Sequence, residues 1–212
     1  LLQDSKDRLW VGTYWGGLNC LDGGRFIHYR PRKGDANSLA HDNVWALAED
    51  QNGLLWIGTL GGGLQCLDPQ TGNFTTYTTR NSNLVTDYVI SLCITHDNML
   101  VIGTSSGMSM MDPETREMTN LTGTKSGKKQ FANQNINQVY EDSRGLIWIA
   151  TREGLNVYDP KRDELYEVPI KPDFSKLFIL GITEDTNNSM WVSTGGELIN
   201  VVMSFDEKTS EP

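Results

Sequence analysis

The segment DQNGLLWIGTLGGGLQCLDP, residues 50–69, decides the fold because its centre recurs along the chain. The phrase Trp-Ile-Gly-Thr at 56–59 has counterparts at 10–13, 101–104, 148–151 and 191–194. The copies lie about 45 residues apart, and short apolar runs separated by turn-forming residues surround each copy. A tandem unit of this length built from short strands predicts a β-propeller blade, so we expect an all-β fold of four-stranded antiparallel blades.

The residues just before each copy predict a tight turn that leads into it. Three positions upstream stand residues that accept a positive φ readily, as a tight hairpin requires: Asp7, Gly53, Asn98, Gly145 and Asn188. Six positions upstream, four of the five copies have an aspartate: Asp4, Asp50, Asp142 and Asp185. Their equivalence across repeats favours a turn-capping role over calcium binding or acid–base catalysis.

The repeated positions also predict how the blades pack. We expect the anchor tryptophans to lie between neighbouring sheets: Trp10, Trp56, Trp148 and Trp191. A threonine closes the strand in every copy: Thr13, Thr59, Thr104, Thr151 and Thr194. The residue two places after each anchor is small, which allows close approach of a neighbour: Gly12, Gly58, Gly103, Ala150 and Ser193. Because one blade cannot bury both of its apolar faces, the units are expected to stack.

The spacing predicts about five blades, of which the outer two are incomplete. The approximate limits are 1–37, 38–82, 83–130, 131–174 and 175–212. We expect a fragment of a larger propeller, although closure as a five-bladed ring is the alternative. Exposed sheet edges at both ends would favour pairing between copies, so a homodimer is expected.

Composition excludes several classes of function. The 212 residues carry a net charge of −9, which argues against nucleic-acid binding. The basic loop at Lys125, Lys128 and Lys129 is interpreted as a solvated loop. No apolar stretch reaches 18 residues, so we expect no membrane insertion of this segment.

The cysteines and histidines predict neither a disulfide framework nor a metal site. Cys20 and Cys66 occupy equivalent places in successive repeats, as small core residues would. The three histidines lie at unrelated positions without ligand spacing: His28, His41 and His96. We therefore expect no metal, no cofactor and no catalytic set.

The pattern Asp-x-x-Gly-x-Leu-Trp-Ile-Gly-Thr-x-x-Gly-Gly-Leu resembles the two-component regulator propeller repeat over nearly the whole chain. Departures are Val101 for Trp, Ala150 and Ser193 for Gly, and Glu197 for the Gly before the next strand. The resemblance implies the periplasmic sensor region of a hybrid histidine kinase, often one that regulates polysaccharide use. It also implies a ligand-sensing, non-catalytic role, with further blades and other domains of the same sensor as partners.

Residues that break the repeat are the candidates for ligand contact. In propellers, the loops after the Trp-containing strand and before the innermost strand of the next blade emerge on one face. Tyr14 and Trp15 are large aromatics in a loop that otherwise favours small residues, and Trp45 lies one residue out of the core phase. Aromatic faces stack on sugar rings, and an arginine can fork onto a carboxylate or sulfate. The candidate ligand residues are Tyr14, Trp15, Trp45, Tyr88 and Arg152.

Three functions remain open from the sequence. The first is a receptor for a glycan-derived oligosaccharide that signals by rearrangement of domains or protomers. The second is a structural or dimerisation propeller with no ligand of its own, in which Trp15 would pack against another blade or subunit. The third, a propeller lyase or glycosidase, needs convergent carboxylates, and the sequence offers only scattered ones: Asp42, Asp87 and Glu153.

Overall fold

The computed structural model describes residues 1–121, 131–168, 178–196 and 198–201. These residues form five antiparallel sheets, each a meander of consecutive strands, so the predicted all-β propeller architecture is confirmed. The basic loop at Lys125, Lys128 and Lys129, the segment 169–176 and Glu197 lie outside the described residues.

The strands follow one another in sheet order. Blade 1 contains β1 (Leu2–Gln3), β2 (Leu9–Thr13), β3 (Gly17–Asp22) and β4 (Arg25–Tyr29). Blade 2 contains β5 (Val44–Glu49), β6 (Leu55–Thr59), β7 (Leu64–Asp68) and β8 (Asn73–Tyr77). Blade 3 contains β9 (Val89–Ile94), β10 (Leu100–Thr104), β11 (Gly107–Met111) and β12 (Met118–Leu121). Blade 4 contains β13 (Ile136–Glu141), β14 (Ile147–Thr151), β15 (Leu155–Asp159) and β16 (Glu164–Glu167). Blade 5 has three described strands, β17 (Ile179–Glu184), β18 (Met190–Thr194) and β19 (Leu198–Val201).

The chain forms two compact units, Leu1–Asn120 and Leu121–Pro212. Within the first unit, Trp10 packs against Val44 and Ile57 of blade 2. Trp56 packs in the same way against residues of blade 3. Within the second unit, Trp148 packs against residues of blade 5. These three tryptophans are at most 1 % exposed, so the predicted packing between sheets is confirmed for them. Trp191, the fourth predicted tryptophan, is only partly buried among the described residues.

In blades 1 and 2 the glycine two places after the tryptophan is needed for this packing. A Cβ placed on Gly58 would lie 2.6 Å from Cγ1 of Val89 in the next blade. A Cβ on Gly12 would meet Val44 at the same distance. No pair of carbon atoms tolerates such a contact, so glycine sets how closely the next sheet approaches.

The recurring aspartate caps the turn, as predicted, and also has a partner that sequence reasoning missed. In blade 2, Oδ1 of Asp50 accepts hydrogen bonds from the Asn52 and Leu54 amides at 2.9 and 3.0 Å. Its Oδ2 accepts the indole N–H of Trp56 at 2.9 Å. The same indole–carboxylate bond is 2.7 Å for Trp10–Asp4, and 2.8 Å for both Trp148–Asp142 and Trp191–Asp185. In each of these four repeats one carboxylate thus joins the turn to the tryptophan, and the carboxylates of Asp4, Asp50 and Asp142 are buried.

The innermost strand contains a recurrent β-bulge. Register shifts in blades 2 to 5 leave one residue of that strand without a partner on the adjacent strand. The bulged residues are Trp45, Ile90, Asn137 and Leu180. A bulge redirects the side chain it carries, so these four positions depart from the alternation of the strand.

Candidate functional site

In blades 1 to 4, the loop after the second strand is held by the threonine that recurs at the end of that strand. In blade 2, the Thr59 hydroxyl donates to the Gly63 carbonyl at 2.9 Å and accepts the Gly62 amide at 3.0 Å. Thr13, Thr104 and Thr151 donate to the glycine carbonyl that follows their own loops. Such bonds fix the conformation of the short loop, so a large side chain in this loop is attached to backbone in a defined position.

The first of these loops holds Trp15 in an unusual conformation. Its φ is 64°, in the left-handed region that a non-glycine residue enters at a cost of about 1–2 kcal/mol. The Trp15 amide donates to Oδ1 of Asn43 at 2.8 Å, and the Trp15 carbonyl accepts from Nη1 of Arg30 at 2.8 Å. The indole of Trp15 is 66 % exposed, and the ring of Tyr14 meets it edge-on at 5.4 Å. The backbone is therefore anchored while both rings face solvent.

Trp45 and Tyr88 are exposed for different local reasons. Trp45 is the bulged residue of β5 and is 56 % exposed between buried Val44 and Ala46. Tyr88 precedes β9, pairs with Leu60 in an isolated β-bridge and is 52 % exposed. The bulge is the cause of the exposure of Trp45, and contact of Trp45 with a ligand stays a prediction.

Backbone hydrogen bonds connect the elements that carry these aromatics. Asn43, which receives the Trp15 amide, accepts the Leu60 amide on its own carbonyl at 3.0 Å. Leu60 in turn forms the bridge with Tyr88. Tyr14, Trp15, Trp45 and Tyr88 thus lie on loops and strand ends that these backbone contacts connect within the first unit. We call these four residues the aromatic face.

Arg152 belongs to the second unit and has surroundings of its own. Its amide donates to the Asn135 carbonyl at 2.9 Å, and its guanidinium lies 6.0 Å from the centre of the Phe178 ring. Phe178 and Leu180 are 39 % and 51 % exposed. Sequence reasoning missed both, although Phe178 precedes its strand as Tyr88 does and Leu180 occupies the bulge position of Trp45. Alignment of the repeats on the bulge would have identified them.

Two of the three scattered carboxylates have structural partners. Asp42 pairs with Arg30 at 3.2 Å, and Asp87 accepts the Thr79 amide at 2.8 Å. Among the residues described, no group of three or more His, Cys, Asp or Glu side chains is arranged to hold a metal ion.

Cys20, Cys66 and Cys93 form no disulfide in the part of the chain that the structure describes. Burial raises the pKa of the Cys66 thiol to about 11, although the nearby Arg116 works in the opposite direction. A thiol with so high a pKa is a poor nucleophile, which agrees with a core role for Cys66.

Comparison with known proteins gives one family and several solved structures. The family described as SMP-30/Gluconolactonase/LRE-like region matches residues 43–201. No curated protein sequence is significantly similar to the chain. Within the described ranges, no helix is long and apolar enough to cross a membrane.

Two of the similar structures are extracellular domains from B. thetaiotaomicron of proteins described as hybrid two component systems, BT4673 and BT3049. They are 25 % and 23 % identical to this chain, with TM-scores of 0.77 and 0.79. Each covers 99 % of this chain, whereas the chain spans only 28 % of either of them. The chain also resembles virginiamycin B lyase from Staphylococcus aureus, at 12 % identity and a TM-score of 0.71, covering 94 % of this chain and 68 % of the lyase. At 12 % identity, that likeness shows the fold alone.

Proposed function

We infer that this chain, which belongs to the family of the SMP-30/Gluconolactonase/LRE-like region, is a sensor propeller rather than a propeller enzyme. Two observations favour a sensor. The repeat resembles that of two-component regulators, and the chain has the fold of two extracellular domains of such systems. We propose that it is a periplasmic, ligand-sensing segment of a two-component histidine kinase, and we assign no catalytic residue to it.

The aromatic face is the observation that carries the choice of ligand. Its four side chains are each more than half exposed, although the Trp15 amide is held by Asn43 and Tyr88 is paired with Leu60. Burial of an aromatic side chain stabilises a protein by about 1.5–3 kcal/mol, so four exposed rings forgo a large gain. Flat, preorganised aromatic surfaces suit the apolar faces of sugar rings. We propose that an oligosaccharide derived from a glycan stacks there and that its binding rearranges domains or protomers.

Isothermal titration of the intact protein with a panel of neutral oligosaccharides tests this proposal. We expect one member of the panel to bind, and Trp15→Ala or Trp45→Ala to weaken binding by about tenfold, or roughly 1.4 kcal/mol. Phe26→Ala is the matched control because Phe26 is an exposed aromatic, at 59 %, on the outer strand β4 away from these loops. The absence of heat with every oligosaccharide, or equal weakening by Phe26→Ala, would contradict the proposal.

A structural role is the second candidate, and a separate feature favours it. Phe26 and Ile27 are 59 % and 45 % exposed on β4, so the outer strand of blade 1 has apolar surface on both of its faces. Sedimentation of the wild type and of a Phe26→Ser/Ile27→Ser variant tests whether this surface joins two copies. A homodimer that dissociates in the variant, together with unchanged signalling by Trp15→Ala, would favour this role over ligand sensing.

A further inference from the structure

A partly open cavity lies in the first unit between the outer strand of blade 1 and that of blade 2. Its volume is about 300 Å³, and it is bordered by the end of β4, by the connection that follows it and by Phe74 of β8. This volume is at the lower limit of small-molecule sites and fits a single sugar-sized molecule. We call it the rim cavity.

The interior of the rim cavity is apolar and aromatic. The rings of Tyr29 and Phe74 meet edge-on with centroids 5.9 Å apart, and the side chain of Leu39 is buried beside them. Burial raises the pKa of the Tyr29 hydroxyl, so this group stays neutral. A ligand that enters therefore needs one face without charge.

Two arginines stand at the border of the cavity, and each is paired with an aspartate, Arg30 with Asp42 and Arg32 with Asp35. Arg30 uses only Nη1 for its protein partners, the Trp15 carbonyl and Asp42. Arg32 uses only Nη2, which contacts Asp35 at 2.8 Å and the Asn37 carbonyl at 3.3 Å. A guanidinium has five N–H donors, so each arginine keeps donors on its other two nitrogens for a ligand. Two such groups at one cavity suit a carboxylate or another small oxyanion.

His28 adds a hydrogen-bond acceptor to the cavity, the Nε2 atom of its ring. The side-chain amide of Asn19 donates to the Val11 carbonyl at 3.4 Å, so its Oδ1 is the atom that faces His28. Nδ1 of His28 lies 2.6 Å from that oxygen and must carry the hydrogen. In the neutral ring, Nε2 then has a lone pair for a ligand hydroxyl, and no described residue occupies it.

The apolar interior, the two arginines and His28 together fit one kind of molecule. We propose that the rim cavity binds a small anion with hydroxyl groups and an apolar ring face, of the sugar-acid class. The anionic group lies between Arg30 and Arg32, a hydroxyl group donates to His28, and the ring packs on Phe74. This site goes beyond the proposed function, because the aromatic face presents no such pair of cations.

Titration of the intact protein with D-glucuronate, D-glucose and inorganic sulfate tests the site. We expect glucuronate to bind at least tenfold more tightly than either glucose, which lacks the carboxylate, or sulfate, which lacks the ring. Arg32→Met should weaken glucuronate binding by about tenfold, since one charge-assisted contact is lost. Arg80→Met is the matched control, because Arg80 is exposed and stands three residues after Tyr77 as Arg32 stands after Tyr29. Equal thermal melting of both variants verifies that they fold.

Several outcomes would overturn the proposal. These are glucuronate binding no tighter than glucose binding, equal weakening by Arg80→Met, and sulfate binding as tight as that of glucuronate. Trp45→Ala should leave glucuronate binding unchanged while it weakens oligosaccharide binding. Failure of the rim cavity and failure of the aromatic face are therefore distinguishable.

Discussion

Removal of the Asp50 carboxylate should destabilise the fold far more than removal of an exposed one. Asp50→Ala deletes the bond to the buried indole of Trp56 and the bonds to two backbone amides. A hydrogen bond to a charged acceptor contributes about 1.5–3 kcal/mol, and the indole has no access to water that could replace it. The Asn52 amide can be solvated, so its loss adds little. We expect the free energy of unfolding to fall by about 3–4 kcal/mol.

The third repeat supplies an intermediate substitution for the same experiment. Thr95 stands where the other repeats have Asp, and its hydroxyl accepts the Met99 amide at 3.0 Å, as Asp50 accepts the amide of Leu54. Asp50→Thr should therefore keep part of the cap, lose the indole bond and cost about 2 kcal/mol.

Urea unfolding of the chain followed by tryptophan fluorescence measures these differences. Glu114→Ala is the control with the same change of charge at an exposed turn, and we expect it to stay within about 0.5 kcal/mol of the wild type. In a Trp56→Phe background, which lacks the indole donor, Asp50→Ala should cost about 1–2 kcal/mol less. If Asp50→Ala costs no more than Glu114→Ala, or the same in both backgrounds, the carboxylate does not join turn and seam.

Three further predictions follow from the same contacts. Gly58→Ala should cost about 1–3 kcal/mol by overpacking the seam, and Val89→Ala in the same chain should relieve part of that cost, which a double-mutant cycle in urea would detect. Thr59→Val should raise hydrogen exchange in the loop that its hydroxyl spans, whereas Thr59→Ser, which keeps the hydroxyl, should not. For Asp4, burial raises the side-chain pKa, but hydrogen bonds from Trp10 and from the turn outweigh burial and hold the pKa below 3.8. The contribution of Asp4 to the free energy of unfolding is therefore present above about pH 4 and is lost as the pH falls through the lower pKa of the folded state. The melting temperature of Asp4→Asn should therefore vary less with pH in that range than the melting temperature of the wild type.

The fold was largely predictable because each repeat carries the same turn and packing residues at the same spacing. Gly58 and Trp56 are ambiguous in one copy, but equivalent residues in five copies leave few architectures that bury them all. The bulge had a signal as well. Val44 and Leu47 are three residues apart in one strand yet pack in the same seam, which plain alternation of side chains does not allow. One inserted residue restores the phase, and that residue is Trp45.

The candidate site was less predictable because exposure depends on neighbours that sequence does not reveal. Tyr14 and Trp15 were identified as departures from the repeat, and they are exposed. The rim cavity went unpredicted because Arg30, Arg32 and Phe74 are ordinary residues at variable positions. They become a group only when two outer strands lie side by side.

Departures from the repeat divide into two kinds, and the difference bears on function. Blade 3 has Val101 in place of the tryptophan and Thr95 in place of its aspartate, so the donor and the acceptor of one hydrogen bond are exchanged together. That change therefore leaves neither a donor nor an acceptor of this pair unsatisfied in the core. Trp15 and Trp45 show the opposite pattern, since the fold anchors the backbone of Trp15, places Trp45 at a bulge and leaves most of each side chain in water. A substitution that restores internal balance is explained by stability. A large apolar side chain that stays exposed is not, and the oligosaccharide that we propose as ligand is the benefit that would account for it.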